Sequence, residues 1–253
     1  MHASPSQTLR ADVVVIGTGA GGAPVAARLA EAGMDVVVLE AGPRLEPAQL
    51  TGDEGEMTAA LYTLHVAQGS GLSLYAGNCV GGSTLINDAL CWRPPPEVLA
   101  SWHEEHGLDA FSAAAFGAHV DRAWEDVHAS PTGPDHLNRN ARRLALGATR
   151  LGWAGEAMPR SVKGCANLGM CNFGCPSGAK QSTARTYIPQ AEAAGARIVP
   201  NTRVDQIEVK GGRAQAVLAS RIDPVTRLRV GTLRVQARLV CVAAGVLGTP
   251  ALL

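Results

Sequence analysis

The fold is decided by the stretch DVVVIGTGAGGAPVAARLAEAGMDVVVLEAG, which runs from Asp12 to Gly42. It opens with Val13–Ile16, a short apolar run without polar alternation, which is typical of a parallel strand covered on both faces. We predict a helix from Ala23 to Ala32, closed by Gly33 just past its end, and a second strand from Met34 to Leu39. The stretch therefore predicts a strand, turn, helix and strand in that order.

The glycines of this turn have the spacing G-x-G-x-x-G. Gly17 permits the tight turn, Gly19 lets the backbone approach a pyrophosphate, and Gly22 lets the helix pack close to the strand. Glu40 ends the second strand, where its carboxylate can accept hydrogen bonds from both ribose hydroxyls and would repel a 2′-phosphate, which disfavours NADP. The unit predicts a dinucleotide site but does not distinguish FAD from NAD as the ligand. Its predicted binding residues are Gly17, Gly19, Ala20, Gly22, Glu40 and Ala41.

Composition and charge exclude several classes of protein. The chain has 253 residues, 46% of them hydrophobic, and equal numbers of basic and acidic residues at 22 each. It can bury the core of one large or two small domains, and it has no charge run that would suggest a nucleic-acid partner. No apolar run approaches the ~20 residues needed to cross a bilayer, and residues 1–10 contain no hydrophobic signal core. We therefore expect a cytoplasmic protein that does not span a membrane.

A second glycine-rich stretch runs from Gly77 to Pro94, after a predicted helix at Met57–Ala67 and a predicted strand at Leu72–Ala76. Two adjacent glycines followed by two hydroxyl residues suit close backbone approach to a phosphate or a ring. A simple tight turn is the alternative.

The remaining chain predicts a helical insert and then a return to the sheet. Three helical patterns precede the cysteine-rich segment, and a helix, a short strand, three antiparallel strands and a last buried strand follow it. The histidines of the insert are interpreted as ordinary surface or boundary residues, and Pro250 as the start of a final helix. The predicted elements are helices at Glu97–His106, Ala110–His128, His136–Leu151 and Ser182–Ala194, and strands at Ala196–Pro200, Thr202–Lys210, Arg213–Ser220, Leu228–Arg238 and Leu239–Ala243.

Three blocks of this sequence resemble the N-terminal half of the glucose-methanol-choline (GMC) family of flavin oxidoreductases. They are Val13–Gly42, Gly77–Pro94 and Ala243–Leu253. The middle block is the most specific, although Cys91 stands where the family usually has an aromatic residue or Ala. The residues that match the family's first signature are Gly77, Asn78, Val80, Gly81, Gly82, Ser83, Thr84, Ile86 and Asn87.

The resemblance implies an α/β fold, in which a Rossmann-like FAD-binding domain with a parallel sheet and a three-stranded β-meander carries a helical insert. The implied bounds are residues 1–95 and 182–253 for the FAD-binding domain and residues 96–181 for the insert on the substrate side. The resemblance further implies that the family's C-terminal substrate-domain half is missing from this chain.

The resemblance also implies cofactor contacts. Asn87 would lie near the isoalloxazine, and Val204 would hold the adenine through its backbone. Some family members attach FAD covalently through a histidine where this chain has Ile86, so we expect noncovalent FAD. The other residues implied at the cofactor are Gly81, Gly82, Thr84, Ala244 and Gly245.

The implied reaction is oxidation of the CH–OH group of an alcohol or sugar, with hydride transfer to flavin N5. The family's catalytic histidine lies beyond residue 253, so no catalytic residue is predicted here and the chain alone is expected to be inactive. One alternative is an NAD-dependent Rossmann dehydrogenase, which leaves the second glycine stretch and the meander unexplained. The other is a noncatalytic FAD-binding fragment.

Six cysteines are too few for a disulfide scaffold, yet Cys165, Cys171 and Cys175 fall within eleven residues, interleaved with glycines. This spacing resembles a loop around an iron–sulfur cluster. It is similar to the cysteine loop of GMC-family sugar dehydrogenases that carry a three-iron, four-sulfide cluster and pass electrons to a cytochrome subunit. A zinc site, a disulfide with one spare thiol, and the metal-free cysteine loop of long-chain alcohol oxidases remain alternatives.

Overall fold

A computed structural model of the chain describes residues 7–67 and 71–253. Its strands are β1 (Gln7–Ile16), β2 (Val36–Leu39), β3 (Tyr62–Ala67), β4 (Leu72–Gly77), β5 (Ala129–Ser130), β6 (Arg160–Ser161), β7 (Arg197–Val199), β8 (Thr202–Lys210), β9 (Arg213–Ile222) and β10 (Arg229–Val242). Its α-helices are α1 (Gly22–Glu31), α2 (Glu54–Leu61), α3 (Pro96–Glu104), α4 (Ala113–Asp126), α5 (Arg139–Arg150), α6 (Tyr187–Ala193) and α7 (Gly245–Leu252). Within these described ranges, no helix is both long and apolar enough to cross a bilayer.

A six-stranded sheet with the order β7-β2-β1-β10-β9-β8 forms the centre of the fold. Strands β7, β2, β1 and β10 run parallel, whereas β10, β9 and β8 pair antiparallel as a meander. The residues of β1 from Val13 to Ile16 and those of β2 are at most 4% exposed, which explains their unbroken apolar sequence. The predicted parallel sheet with a three-stranded meander is confirmed.

Helix α1 connects β1 to β2 and packs against α6. Its buried face consists of small residues, which let the helix lie close to the strands beneath it. These residues are Gly22, Ala23, Ala26, Ala27 and Ala30.

Five predicted elements differ from the structure. The predicted helix at Met57–Ala67 is wrong, because α2 ends at Leu61 and β3 begins at Tyr62, in an antiparallel pair with β4. Residues 62–66 have the sequence YTLHV, in which β-branched and aromatic residues favour a strand.

The helix predicted from Ser182 begins five residues later, at Tyr187. Thr183, which precedes it, instead uses its hydroxyl for contacts with distant backbone. The two predicted strands that meet at residue 239 form the single strand β10, and Pro250 lies inside α7 rather than at its start.

The chain divides into two compact units. One comprises the residues up to Asp88 together with Leu168–Leu253, and the other comprises Ala89–Asn167. The second unit holds α3, α4, α5 and the short antiparallel pair of β5 and β6. Residues 168–181, predicted to belong to the insert, pack in the first unit, where the Tyr62 hydroxyl donates to the carbonyl of Asn172 at 2.6 Å.

Candidate cofactor-binding site

The glycine turn after β1 leaves no room for side chains. Gly17 has a left-handed φ of 100°, and a Cβ there would lie 2.4 Å from the carbonyl oxygen of Ala243. A Cβ on Gly22 would lie 2.0 Å from the carbonyl oxygen of Gly17. These two positions therefore require glycine, as the turn and the close packing of α1 predict.

The N-terminus of α1 is open to an anion. Its N-cap residue, Gly21, provides no capping side chain, and the first turn contains no acidic residue. The leading amides of a helix have no partner within the helix, and the helix dipole favours negative charge there. The turn and the helix end thus fit a pyrophosphate group.

The second glycine stretch lies directly against the first. The amide of Gly81 donates to the hydroxyl of Thr18 at 2.9 Å, and a Cβ on Gly82 would lie 3.0 Å from the Cα of Gly19. Gly77 is also constrained, since a Cβ there would lie 2.4 Å from the carbonyl carbon of Gly82. Two segments about sixty residues apart thus form one glycine-lined surface.

Threonine hydroxyls hold these two stretches together. The hydroxyl of Thr183 contacts the carbonyl oxygens of Thr18, at 2.8 Å, and Gly81, at 3.2 Å. The hydroxyl of Thr84 donates to the carbonyl of Gly81 at 2.6 Å and accepts from the amide of Thr183 at 3.0 Å. Thr18 is fully buried and Thr183 is 4% exposed. Of the three threonines, only Thr84 was a predicted site residue.

Glu40 closes the site from the end of β2. Its carboxylate accepts from the amide and hydroxyl of Thr18 at 3.0 and 2.5 Å, and from the amide of Gly42 at 3.1 Å. Burial raises the pKa of Glu40, while the hydrogen bonds from Thr18, Gly42 and Ala41 oppose that shift. A carboxylate has about four acceptor positions, so these donors largely occupy them. Glu40 therefore clamps the glycine turn, a role that the sequence did not predict.

The third predicted block enters from the end of β10. The amide of Ala243 donates to the carbonyl of Ile16 at 2.9 Å, so Ala244 and Gly245 follow directly beside the glycine turn. The Ala243 methyl lies 3.3 Å from the position of a Cβ on Gly22. All three blocks thus meet at the carboxyl ends of β1 and β10, where open α/β sheets bind their ligands.

The other predicted residues are more scattered. Val204 is buried in β8, in register with Ala219 and next to a register shift in the pairing. Ala20 is exposed in the turn, Ala41 is half-buried, and Asn87 is exposed.

A buried lysine supports the second glycine stretch. Lys180 is 2% exposed, and its ammonium group donates to the carbonyls of Leu85 at 2.9 Å, Cys171 at 2.8 Å, and Asn87. Burial lowers the pKa of Lys180 to about 8. The sequence analysis missed this residue, because the carbonyls that it contacts are distant in the sequence.

The structure does not support the predicted ligand set Cys165, Cys171 and Cys175. Among the residues that the structure describes, no three His, Cys, Asp or Glu side chains are grouped to hold a metal, and all six cysteines are free thiols. The Cys175 thiol faces its own loop, with the amide of Lys180 and the hydroxyl of Ser177 each 3.4 Å away. Neither the iron–sulfur nor the zinc interpretation is supported, and the disulfide alternative is wrong.

Comparisons with known proteins agree with this geometry. The sequence profile described as GMC oxidoreductase matches residues 11–253. An uncharacterized GMC-type oxidoreductase of Mycobacterium tuberculosis is 41% identical over 99% of this chain and 39% of its own length. A long-chain-alcohol oxidase of Arabidopsis thaliana is 29% identical over 97% of this chain and 34% of its own length.

A solved structure has the same fold. Pyridoxine 4-oxidase from Mesorbium loti superimposes with a TM-score of 0.68 at 18% identity, covering 95% of this chain and 50% of that one. The chain thus spans half or less of the length of these proteins.

Proposed function

Because the chain belongs to the GMC oxidoreductase family, we propose that it forms the FAD-binding part of an enzyme that oxidises the CH–OH group of an alcohol or sugar. The name of the Arabidopsis relative, a long-chain-alcohol oxidase, supports an alcohol donor. We propose FAD rather than NAD as the cofactor, and dissociable rather than covalent binding.

The contact between the two glycine stretches is the observation that carries this proposal. A Rossmann unit that binds NAD needs only the first turn, the helix after it and the acid at the end of β2. Here a second glycine segment is fixed to the first by the Gly81–Thr18 and Thr183–Thr18 hydrogen bonds. This arrangement extends the surface beyond the pyrophosphate, as a cofactor with a bulky ring system at its other end requires.

The chain's own residues would bind and orient the cofactor. The amides at the start of α1 would contact the pyrophosphate, and the surface around Gly82 would receive the next part of the molecule. Bound FAD would supply the acceptor for the hydride that leaves the alcohol carbon. Ile86 is 6% exposed and packs with Leu85 and Met57 in a core cluster, which supports noncovalent binding.

The proton-accepting group is expected outside this chain. Alcohol oxidation needs a base within hydrogen-bond reach of the substrate hydroxyl. His65 lies exposed on β3, opposite Leu74, and is the first candidate to test if the chain alone proves active.

The direct experiment measures the affinity of the purified chain for FAD, FMN and NAD by calorimetry and flavin fluorescence. We expect FAD to bind most tightly, because it alone combines an adenylate for the β2 end with a flavin for the second glycine stretch. Glu40→Gln should weaken FAD binding roughly 10- to 100-fold, since the neutral side chain loses the charge-assisted hydrogen bonds, each worth about 1.5–3 kcal/mol, by which Glu40 fixes the glycine turn.

Two controls separate binding from folding. Glu31→Gln removes an exposed acid of α1 that pairs with Arg28, and it should leave FAD affinity unchanged. Thermal unfolding of Glu40→Gln without cofactor measures the loss of the Thr18 and Gly42 contacts on their own. Tighter binding of NAD than of FAD, or flavin that stays attached after acid precipitation, would contradict the proposal.

A further inference from the structure

The segment from Cys171 to Lys180, here called the cysteine loop, ends in a buried cation. The ammonium group of Lys180 donates to the backbone carbonyls of Leu85 at 2.9 Å, Cys171 at 2.8 Å, and Asn87. An ammonium group has three protons, so these carbonyls occupy all of its donors and no carboxylate shares them. A side chain that is only 2% exposed is thus hydrogen bonded to carbonyls alone.

Two of these carbonyls belong to the second glycine stretch. Residues Gly82–Leu85 form a short 3₁₀ helix, and the amides of Ile86 and Asn87 both donate to the carbonyl of Ser83 at its end. The last carbonyls of a helix have no partner within it, and a positive charge is favourable there. Lys180 therefore caps the end of this stretch.

Tyr62 supports the same place from a third segment. Its hydroxyl donates to the carbonyl of Asn172 at 2.6 Å and lies 3.4 Å from the carbonyl oxygen of Ile86. Five carbonyls, at positions 85–87 and 171–172, thus converge on one ammonium and one hydroxyl. Removing a donor would leave carbonyls unpaired in a buried place, so this arrangement depends on the two side chains.

The thiol of Cys175 fixes the backbone at Lys180. It accepts from the amide of Lys180 at 3.4 Å, and Cys175 has a left-handed φ of 62°. Gly174 also has a positive φ, and a Cβ there would lie 2.7 Å from a methyl carbon of Leu50, which belongs to the same core cluster as Leu85. The tight turn of the loop thus brings its last residue to the second glycine stretch.

We propose that Lys180 is a positioning residue for the cofactor. Its ammonium acts as a fixed internal cation that holds the carbonyls of Leu85 and Asn87, and with them the half of the site beyond the pyrophosphate. The cysteine loop serves to deliver that cation. The link to FAD rests on the proposed function, whereas the contacts between the ammonium and the carbonyls can be tested in the chain without cofactor.

The test replaces the cation from solution. Lys180→Ala removes the ammonium and most of its stem, and propylammonium has the size and the N–H donors to refill that space. We expect the amides of Ile86 and Asn87 to exchange hydrogen at least about tenfold faster in the variant, and FAD affinity to fall by a similar factor. Propylammonium should restore both, whereas tetramethylammonium, a cation without N–H donors, should restore neither.

Lys210→Ala is the matched control, because Lys210 is exposed at the end of β8. Its hydrogen exchange and FAD affinity should equal those of the wild type, with or without propylammonium. If Lys180→Ala does not fold in either condition, Tyr62→Phe is the second variant. It keeps the ring, loses the contact to Asn172, and should accelerate exchange at the same two amides.

Unchanged exchange at Ile86 and Asn87 in these variants would overturn the proposal. Equal rescue of Lys180→Ala by tetramethylammonium would overturn it as well, since a cation without donors cannot bind the carbonyls by hydrogen bonds. A wild-type chain without affinity for FAD would instead contradict the proposed function, and the exchange comparison in the cofactor-free chain would still decide the role of Lys180.

Discussion

Replacing Gly22 with alanine tests how closely α1 must approach β1. The added Cβ would lie 2.0 Å from the carbonyl oxygen of Gly17, well inside the 3.4 Å at which ordinary van der Waals contact begins. Both atoms belong to the backbone, so no rotamer change relieves the overlap and the helix must move away from the strand. The helix start would then shift relative to the turn that we assign to the pyrophosphate.

The cost can be bounded. Overpacking a well-packed site destabilises a protein by about 1–3 kcal/mol, whereas replacing Gly with Ala in a helix stabilises it by at most about 1 kcal/mol. We expect Gly22→Ala to lose about 2 kcal/mol of stability, which for a chain of this size lowers Tm by roughly 4–8 °C. FAD affinity should fall as well, because the amides of the first turn are displaced.

The assay combines thermal unfolding by circular dichroism with FAD titration. Gly117→Ala is the control, since Gly117 lies within α4 and an added Cβ there meets no atom within 4 Å. That variant should be more stable by about 0.5–1 kcal/mol and bind FAD normally. A Gly22→Ala protein as stable as the wild type, with unchanged FAD affinity, would refute the close-packing argument.

Thr183→Val removes the hydroxyl that donates to the carbonyl of Thr18, so it should destabilise the chain by about 1–3 kcal/mol and weaken FAD binding. The control Thr149→Val removes an exposed helix hydroxyl and should change stability little. Chemical denaturation measures the stability of both variants. The pKa of Lys180 is about 8 in the folded chain and 10.5 in the unfolded chain. Between pH 8 and pH 10.5 the unfolded chain therefore binds more protons, so the stability of the wild type should rise with pH over this range. Relative to Lys180→Met, that gain should be roughly 2–3 kcal/mol between pH 7.5 and pH 10 in urea titrations, and a difference that does not change with pH would contradict it. Asp53→Ala should cost about 0.5–2 kcal/mol, because the Asp53 carboxylate caps α2 by accepting from the amide of Glu56 at 2.8 Å; a Tm equal to that of the wild type would contradict the cap.

The sequence predicted the parts of the fold whose signals are local. The apolar runs of β1 and β2, the glycine spacing and the alternation of the meander each reflect one element and its immediate neighbours. The helix predicted at Met57–Ala67 failed because it joined two elements whose boundary depends on the pairing of β3 with β4. Intrinsic secondary-structure propensity is a weak guide where the pairing of strands decides the boundary of an element.

The candidate site shows the same division. The glycines could be assigned because their role follows from backbone geometry, and their spacing in the sequence indicates that geometry. Thr183 and Lys180 could not be assigned, because their roles depend on partners that are distant in the sequence. Thr183 contacts Thr18, and Lys180 contacts the carbonyls of Leu85 and Asn87. The three clustered cysteines illustrate the opposite error, since closeness in sequence suggested a common ligand and the structure does not group them.

The pairing of β1 with β10 has a consequence for synthesis and folding. Arg10 and Gln236, which are partners in this ladder, are 226 residues apart. At a synthesis rate of about 5–20 residues per second, β1 waits roughly 10–45 s for this neighbour. During that interval its apolar edge is exposed on the nascent chain, and the late, long-range closure makes folding slow. We therefore expect expression yield to depend strongly on chaperones and on temperature, even where the mature sheet is stable.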